Sequence, residues 1–194
     1  MAVPIVFDVD KTVLIKFIQA LIVPVLMAFV AFMAGNLFGM NIELDNAAQI
    51  GGSLIPLILI IIVGGIGEEI GWRSFLKTTL EKKYPVLVSS IIVGIMWGLW
   101  HIDRWNLGII FMLVMILRTV SSSIVMALIL KDTNNNIIIS TAFHGSSNIG
   151  FQIFLGTRFR ETKIMLLTAV TMLVIAIVMV IINRKYYLNQ KNVA

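Results

Sequence analysis

The stretch GSLIPLILIIIVGGIGEEIGWRSFLKTTLEKKY, from Gly52 to Tyr84, decides the fold. Its first half, Gly52–Gly67, carries no charge, and Glu68, Glu69 and Arg73 follow at once. Two readings compete. In one, the charges open a loop and lie in water. In the other, the helix continues through them. No helix breaker stands between Ser74 and Leu80, and the next proline is Pro85. The pattern therefore predicts one helix from about Gly52 to about Leu80. Such a helix is longer than a bilayer's hydrocarbon requires, so it tilts or projects beyond the membrane. The acidic pair then lies inside it.

The rest of the chain asks for the same solvent. Of 194 residues, 59% are hydrophobic and 13% are charged, against roughly half and a quarter in a soluble domain. Six apolar runs predict membrane helices: Leu14–Phe38, Gly52–Gly67, Val86–His101, Leu107–Leu130, Ile137–Gly156 and Ile164–Ile182. The second and third are short, and the fourth contains Arg118. The expected fold is all-α: a polytopic transmembrane bundle of about six helices around a polar intramembrane cavity. It forms one domain over 1–194, with the motif-bearing core at about 52–156. Asp8 and Asp10 precede the first run, and Phe17–Ile42 is uncharged. That stretch is too long for the apolar region of a cleavable signal peptide, and it reads as a first spanning helix.

The absence of cysteine removes disulfides, thiolate nucleophiles and cysteine-based zinc sites from consideration. The net charge of +5 sits between apolar segments. That placement fits lipid headgroups as partners and not nucleic acid. With the N-terminus inside, the cytoplasmic side carries Lys11, Lys16, Arg73, Lys77, Lys82, Lys83, Lys131, Arg184, Lys185 and Lys191, and the other side Arg104, Arg158, Arg160 and Lys163. The excess of basic residues predicts that both termini are cytoplasmic.

Three polar clusters stand out within the apolar runs. Glu69 and Arg73 are four residues apart with the acid first, the favourable order for a helical ion pair. Glu68 lies about 100° round the helix from Glu69, which leaves it free for chemistry. Trp97 and His101 share a face of the third helix, and His144 and Asn148 share a face of the fifth, where paired hydrogen-bonding groups suit an oxyanion. Take the Glu81–Tyr84 turn as the membrane surface. Glu68 then stands roughly 18 Å up one helix and His101 roughly 24 Å up the next, with His144 roughly 12 Å above the Asn134–Asn136 turn, at ~1.5 Å per residue. The three fall in one layer. Gly94, Gly98 and Gly145 would let neighbouring helices approach closely.

Simpler readings exist for each residue. His101 could be an interfacial histidine beside Asp103 and Arg104, and His144 and Asn148 could make interhelical hydrogen bonds. Against this, the chain's two histidines both fall in these clusters. Trp97 and Trp100 read as packing or interfacial residues. Arg118 could snorkel, pair with an acid or bind substrate.

Glu68-Glu69-x-x-x-Arg73, Trp97-x-x-x-His101 and His144-x-x-x-Asn148 together resemble the three-motif signature of the CAAX protease and bacteriocin-processing family (CPBP, or Abi), whose eukaryotic members are Ras-converting CAAX endopeptidases. The second motif often has Phe where this chain has Trp97. The resemblance implies an intramembrane endopeptidase acting on a membrane-associated peptide or protein. It implies that Glu68 activates water, His101 positions that water, His144 and Asn148 stabilise the oxyanion, and Glu69 and Arg73 support the site. No cofactor is expected, although two histidines and a glutamate could also bind zinc. A bacterial plasma membrane is the expected location. Two alternatives remain at this stage. One is a proton- or ion-coupled transporter, against which there is no evident inverted repeat. The other is a non-catalytic bacteriocin immunity or scaffold protein of the same fold.

Overall fold

A computed structural model describes residues 10–44 and 65–189. Most of the second apolar run expected from Gly52 lies outside the described residues. The long elements are α1 (Lys11–Leu37), α2 (residues 65–80), α3 (Val86–Trp100), α4 (Ile109–Ile129), α5 (Ile137–Leu155) and α6 (Thr162–Ile182). A short α7 (Arg184–Leu188) follows. No strand occurs among the described residues. The molecule is a helical bundle, as expected, but its helical pieces exceed six. Single 3₁₀ turns at Ile102–Leu107 and Gly156–Arg160 and the short α7 are added. These pieces are short and carry polar residues, so a search for apolar runs passes over them.

By length and composition, α1, α4 and α6 can cross a membrane, while the apolar α3 is shorter, at 15 residues. The outer faces fit lipid. Along α6, Leu166, Val170, Val174, Ile177 and Ile181 are exposed at helical spacing, while Met165, Ala169, Met172 and Ala176 face inward. Alpha-helix α4 is the central strut. It packs against α3 on one side and α6 on the other, and α1 packs against α5.

Two glycines set the close crossing of α3 and α4. A Cβ at Gly94 would come 2.4 Å from the Val120 Cα, and one at Gly98 would come 2.9 Å from the Ile116 Cα. Thr119 uses the same contact, donating its hydroxyl to the Gly94 carbonyl at 2.8 Å. The expected close approach at Gly94 and Gly98 is therefore real.

The ends are closed by polar groups. The Asp10 carboxylate accepts from the Val13 amide at 2.7 Å and caps α1, satisfying one of the amides a helix start leaves free. Asp132, Asn134 and Asn135 take left-handed backbone angles in the turn between α4 and α5, a conformation short polar side chains tolerate. Asn136 then caps α5 through the Ile138 amide. At the C-terminal end, Tyr186 and Tyr187 donate to the Ala127 and Ile124 carbonyls of α4, at 2.7 and 2.8 Å.

Helix α2 departs from the expectation in one respect. It continues past the acidic pair, as predicted, but from Ile70 to Lys77 it winds as a π-helix before a last α turn at Thr78–Leu80. The sequence reading assumed 3.6 residues per turn throughout. Widened turns of this kind are rare, and they concentrate at functional sites.

Candidate active site

Three helices bring the polar clusters together. Glu69 on α2 is fully buried, as is Arg73 one turn on. The Glu69 carboxylate meets Arg73 twice, at 3.2 Å from Nε and 3.3 Å from Nη1. The same carboxylate holds the Nδ1 of His144, from α5, at 2.9 Å. Glu69 therefore does more than the expected ion pair: it joins α2 to α5 and fixes one histidine.

Glu68 is half-buried and turns toward α3. There the indole Nε1 of Trp97 donates to its Oε2 at 3.0 Å. Trp97 is itself 3% exposed. Its ring carries the Arg73 guanidinium at 4.6 Å and meets the His144 ring edge-on at 5.1 Å. It is thus the hub around which the three clusters assemble. The sequence reading placed Trp97 among packing or interfacial residues, and this role was missed. One signal was available: a buried indole N–H needs an acceptor, and the Glu68 carboxylate had no donor assigned.

His101 follows the last turn of α3. Its Nδ1 lies 2.8 Å from the Trp97 carbonyl oxygen. A carbonyl can only accept, so Nδ1 carries the hydrogen, and the neutral ring presents Nε2 as an acceptor. The Glu69 carboxylate fixes His144 by the same reasoning, with Nδ1–H toward Glu69.

Glu68, His101, His144 and Asn148 all line one cavity of about 280 Å³. Asn148 stands one turn beyond His144 and is exposed. A molecule of liquid water occupies about 30 Å³, so the cavity has room for several waters. Trp97, Arg118, Ser147 and Gln152 contribute to its wall. Trp100, by contrast, is exposed and pairs edge-on with Trp72 at 6.2 Å, consistent with the interfacial reading. Among the described residues, no three of the histidine, aspartate and glutamate side chains converge as a metal-binding set.

A model of the type II CAAX prenyl endopeptidase Rce1-like family matches residues 50–150. A lysostaphin resistance protein A from Staphylococcus haemolyticus is 28% identical over 150 residues, covering 77% of this chain and 41% of that protein. A CAAX prenyl protease 2 from Methanococcus maripaludis is 24% identical over 129 residues, covering 59% of this chain and 48% of that protein. The lysostaphin resistance protein A of Staphylococcus aureus is 26% identical over 150 residues, covering 77% of this chain and 35% of its own length. The chain thus spans less than half the length of these relatives.

Proposed function

The chain belongs to the Rce1-like type II CAAX prenyl endopeptidase family, and on that premise we propose that it hydrolyses a peptide bond of a membrane-associated peptide or protein. It is an integral membrane protein. In this reading the bilayer is a bacterial plasma membrane, with both termini on the cytoplasmic side.

The observation that carries the reading is the shared cavity of Glu68, His101, His144 and Asn148. Glu68 takes a proton from water and the oxygen attacks the scissile carbonyl. The carboxyl group then delivers that proton to the leaving amine, so one residue serves as base and acid in turn. The indole of Trp97 occupies one carboxylate oxygen and leaves the other for water. His101 accepts from the same water through Nε2 and fixes its approach. Asn148 donates its amide to the oxyanion. His144 stabilises the oxyanion beside it, its ring held in place through Nδ1 by the Glu69 carboxylate. Glu69 and Arg73 hold this frame and do not touch the reacting atoms. The mechanism requires no metal.

The test is cleavage of a library of membrane-anchored peptides by the purified chain in nanodiscs, with product masses identified. Glu68→Gln keeps the shape and removes the base. It should lower kcat by about 10²- to 10⁴-fold, while a strong chelator leaves the wild type active. Loss on chelation with rescue by zinc would replace this mechanism with a metal-assisted one.

The staphylococcal relatives are named for lysostaphin resistance, and the second reading is a non-catalytic immunity or scaffold role on the same fold. In that case Glu68→Gln would leave a resistance phenotype intact.

A further inference from the structure

The bundle buries two arginines in its site region, and they differ in one respect. Arg73 has its carboxylate within the chain, at Glu69. Arg118, on α4, is 5% exposed, and its Nε has no hydrogen-bond partner. Among the described residues no carboxylate reaches it within ion-pair distance. The acids nearby are committed elsewhere: Glu68 to Trp97, and Glu69 to Arg73 and His144.

What Arg118 does contact is aromatic. Its guanidinium lies 4.4 Å from the Phe151 ring centre and 4.8 Å from that of Phe159. The two rings stack on each other at 5.0 Å. Such faces partly offset the charge and fix the plane of the guanidinium, but they accept none of its N–H groups in ordinary hydrogen bonds. A charge held at this depth without an acid is costly unless something pairs with it. Arg118, Phe151 and Phe159 line the same cavity as Glu68 and Asn148. The missing partner therefore enters with whatever fills that cavity.

We propose that Arg118 anchors a carboxylate of the substrate. The planar fork of a guanidinium matches a carboxylate with two parallel hydrogen bonds. Arg104, which also lines the cavity, already holds Asp103 at 2.8 Å. The carboxylate can be the substrate's C-terminus or an acidic side chain. This inference rests on the peptidase reading for the identity of the occupant, but the pairing itself can be measured without turnover.

The experiment uses one cleavable membrane-anchored peptide in three forms: unmodified, with its C-terminus amidated, and with its acidic side chains converted to amides. Wild type, Arg118→Lys and Arg118→Gln are compared in nanodiscs by kcat/KM. In parallel, binding of the same fluorescent peptides to the Glu68→Gln chain is measured. Removing the recognised carboxylate should cost the wild type about 10- to 100-fold in kcat/KM and a similar factor in Kd. Arg118→Gln should lose that discrimination, treating acid and amide alike, and Arg118→Lys should keep part of it. Loss on amidating the C-terminus assigns the anchor to the α-carboxylate, and loss on amidating side chains assigns it to an acidic residue. Equal cleavage of all three forms by the wild type, or equal binding of them by the Glu68→Gln chain, overturns the proposal. If no peptide is cleaved but binding still discriminates, the peptidase reading fails and the anchor stands. Should Arg118→Gln not fold, the three peptides on the wild type and on Arg118→Lys decide the matter alone.

Discussion

Trp97 shows what a single residue contributes here. Its ring alone would fill space between Arg73 and His144, and a phenylalanine could do that. Its Nε1–H does something further, since it occupies the Glu68 Oε2 at 3.0 Å. Trp97→Phe keeps the aromatic surface and removes this donor. Half-buried Glu68 can take a water in place of the lost donor, so the unfolding temperature and KM should change little, while the loss of a fixed carboxylate should lower kcat by about tenfold. Steady-state kinetics beside a thermal unfolding curve checks this. A variant that loses stability and rate together would make Trp97 a packing residue after all. Glu68, Glu69, Arg73, His101 and His144 are conspicuous in the sequence because charged and imidazole groups stand out in an apolar chain, and Asn148 because it lies one helical turn from His144. Trp97 is not, because an indole in a membrane protein has commoner uses. The link from Glu69 to His144 was not legible either. Helical spacing reports neighbours on one helix, and this contact joins residues 75 apart in the chain.

The same division holds for helices. Five of the six long elements begin and end within a few residues of their apolar runs, because hydrocarbon thickness and helical rise fix the length of a span. The π turn at Ile70–Lys77 had no signature in hydropathy, since it changes winding and not composition. The glycine contact between α3 and α4 was visible only as a tendency. Its severity comes from backbone geometry, with a Gly94 Cβ meeting the Val120 Cα at 2.4 Å. Backbone cannot rotate away as a side chain can, so Gly94→Ala must push α3 from α4. Overpacking of this kind costs about 1–3 kcal/mol, and it should lower the unfolding temperature. Because α3 carries both Trp97 and His101, peptide cleavage should also fall. A substitution that leaves the unfolding temperature unchanged would show that the two helices are not in contact here.

At the scale of the molecule, the connections matter as much as the spans. Arg158, in the turn between α5 and α6, donates to the Met40 and Asn41 carbonyls beyond α1, at 2.9 and 3.1 Å. It is oriented by Glu161 at 2.9 Å. The hydrogen bond from Arg158 holds the Glu161 carboxyl below its ordinary value. A carboxylate with a depressed folded value contributes stability above the ordinary carboxylate range and loses it as the pH falls through the folded value. Both groups are largely in water, so the contribution is small. Glu161→Gln should therefore narrow slightly the gap between unfolding temperatures at neutral pH and near pH 3. An unchanged gap would mean that the pair does not hold the turn.

The central claim is that groups from α2, α3 and α5 act as one catalytic unit. It is tested by the rate of peptide cleavage for Glu68→Gln, His101→Gln, His144→Gln and Asn148→Ala, singly and in pairs with Glu68→Gln. Residues that act together are strongly non-additive. Each pair should be no slower than Glu68→Gln alone, within about threefold. Losses that multiply across each pair would contradict it, and would place the groups in separate roles.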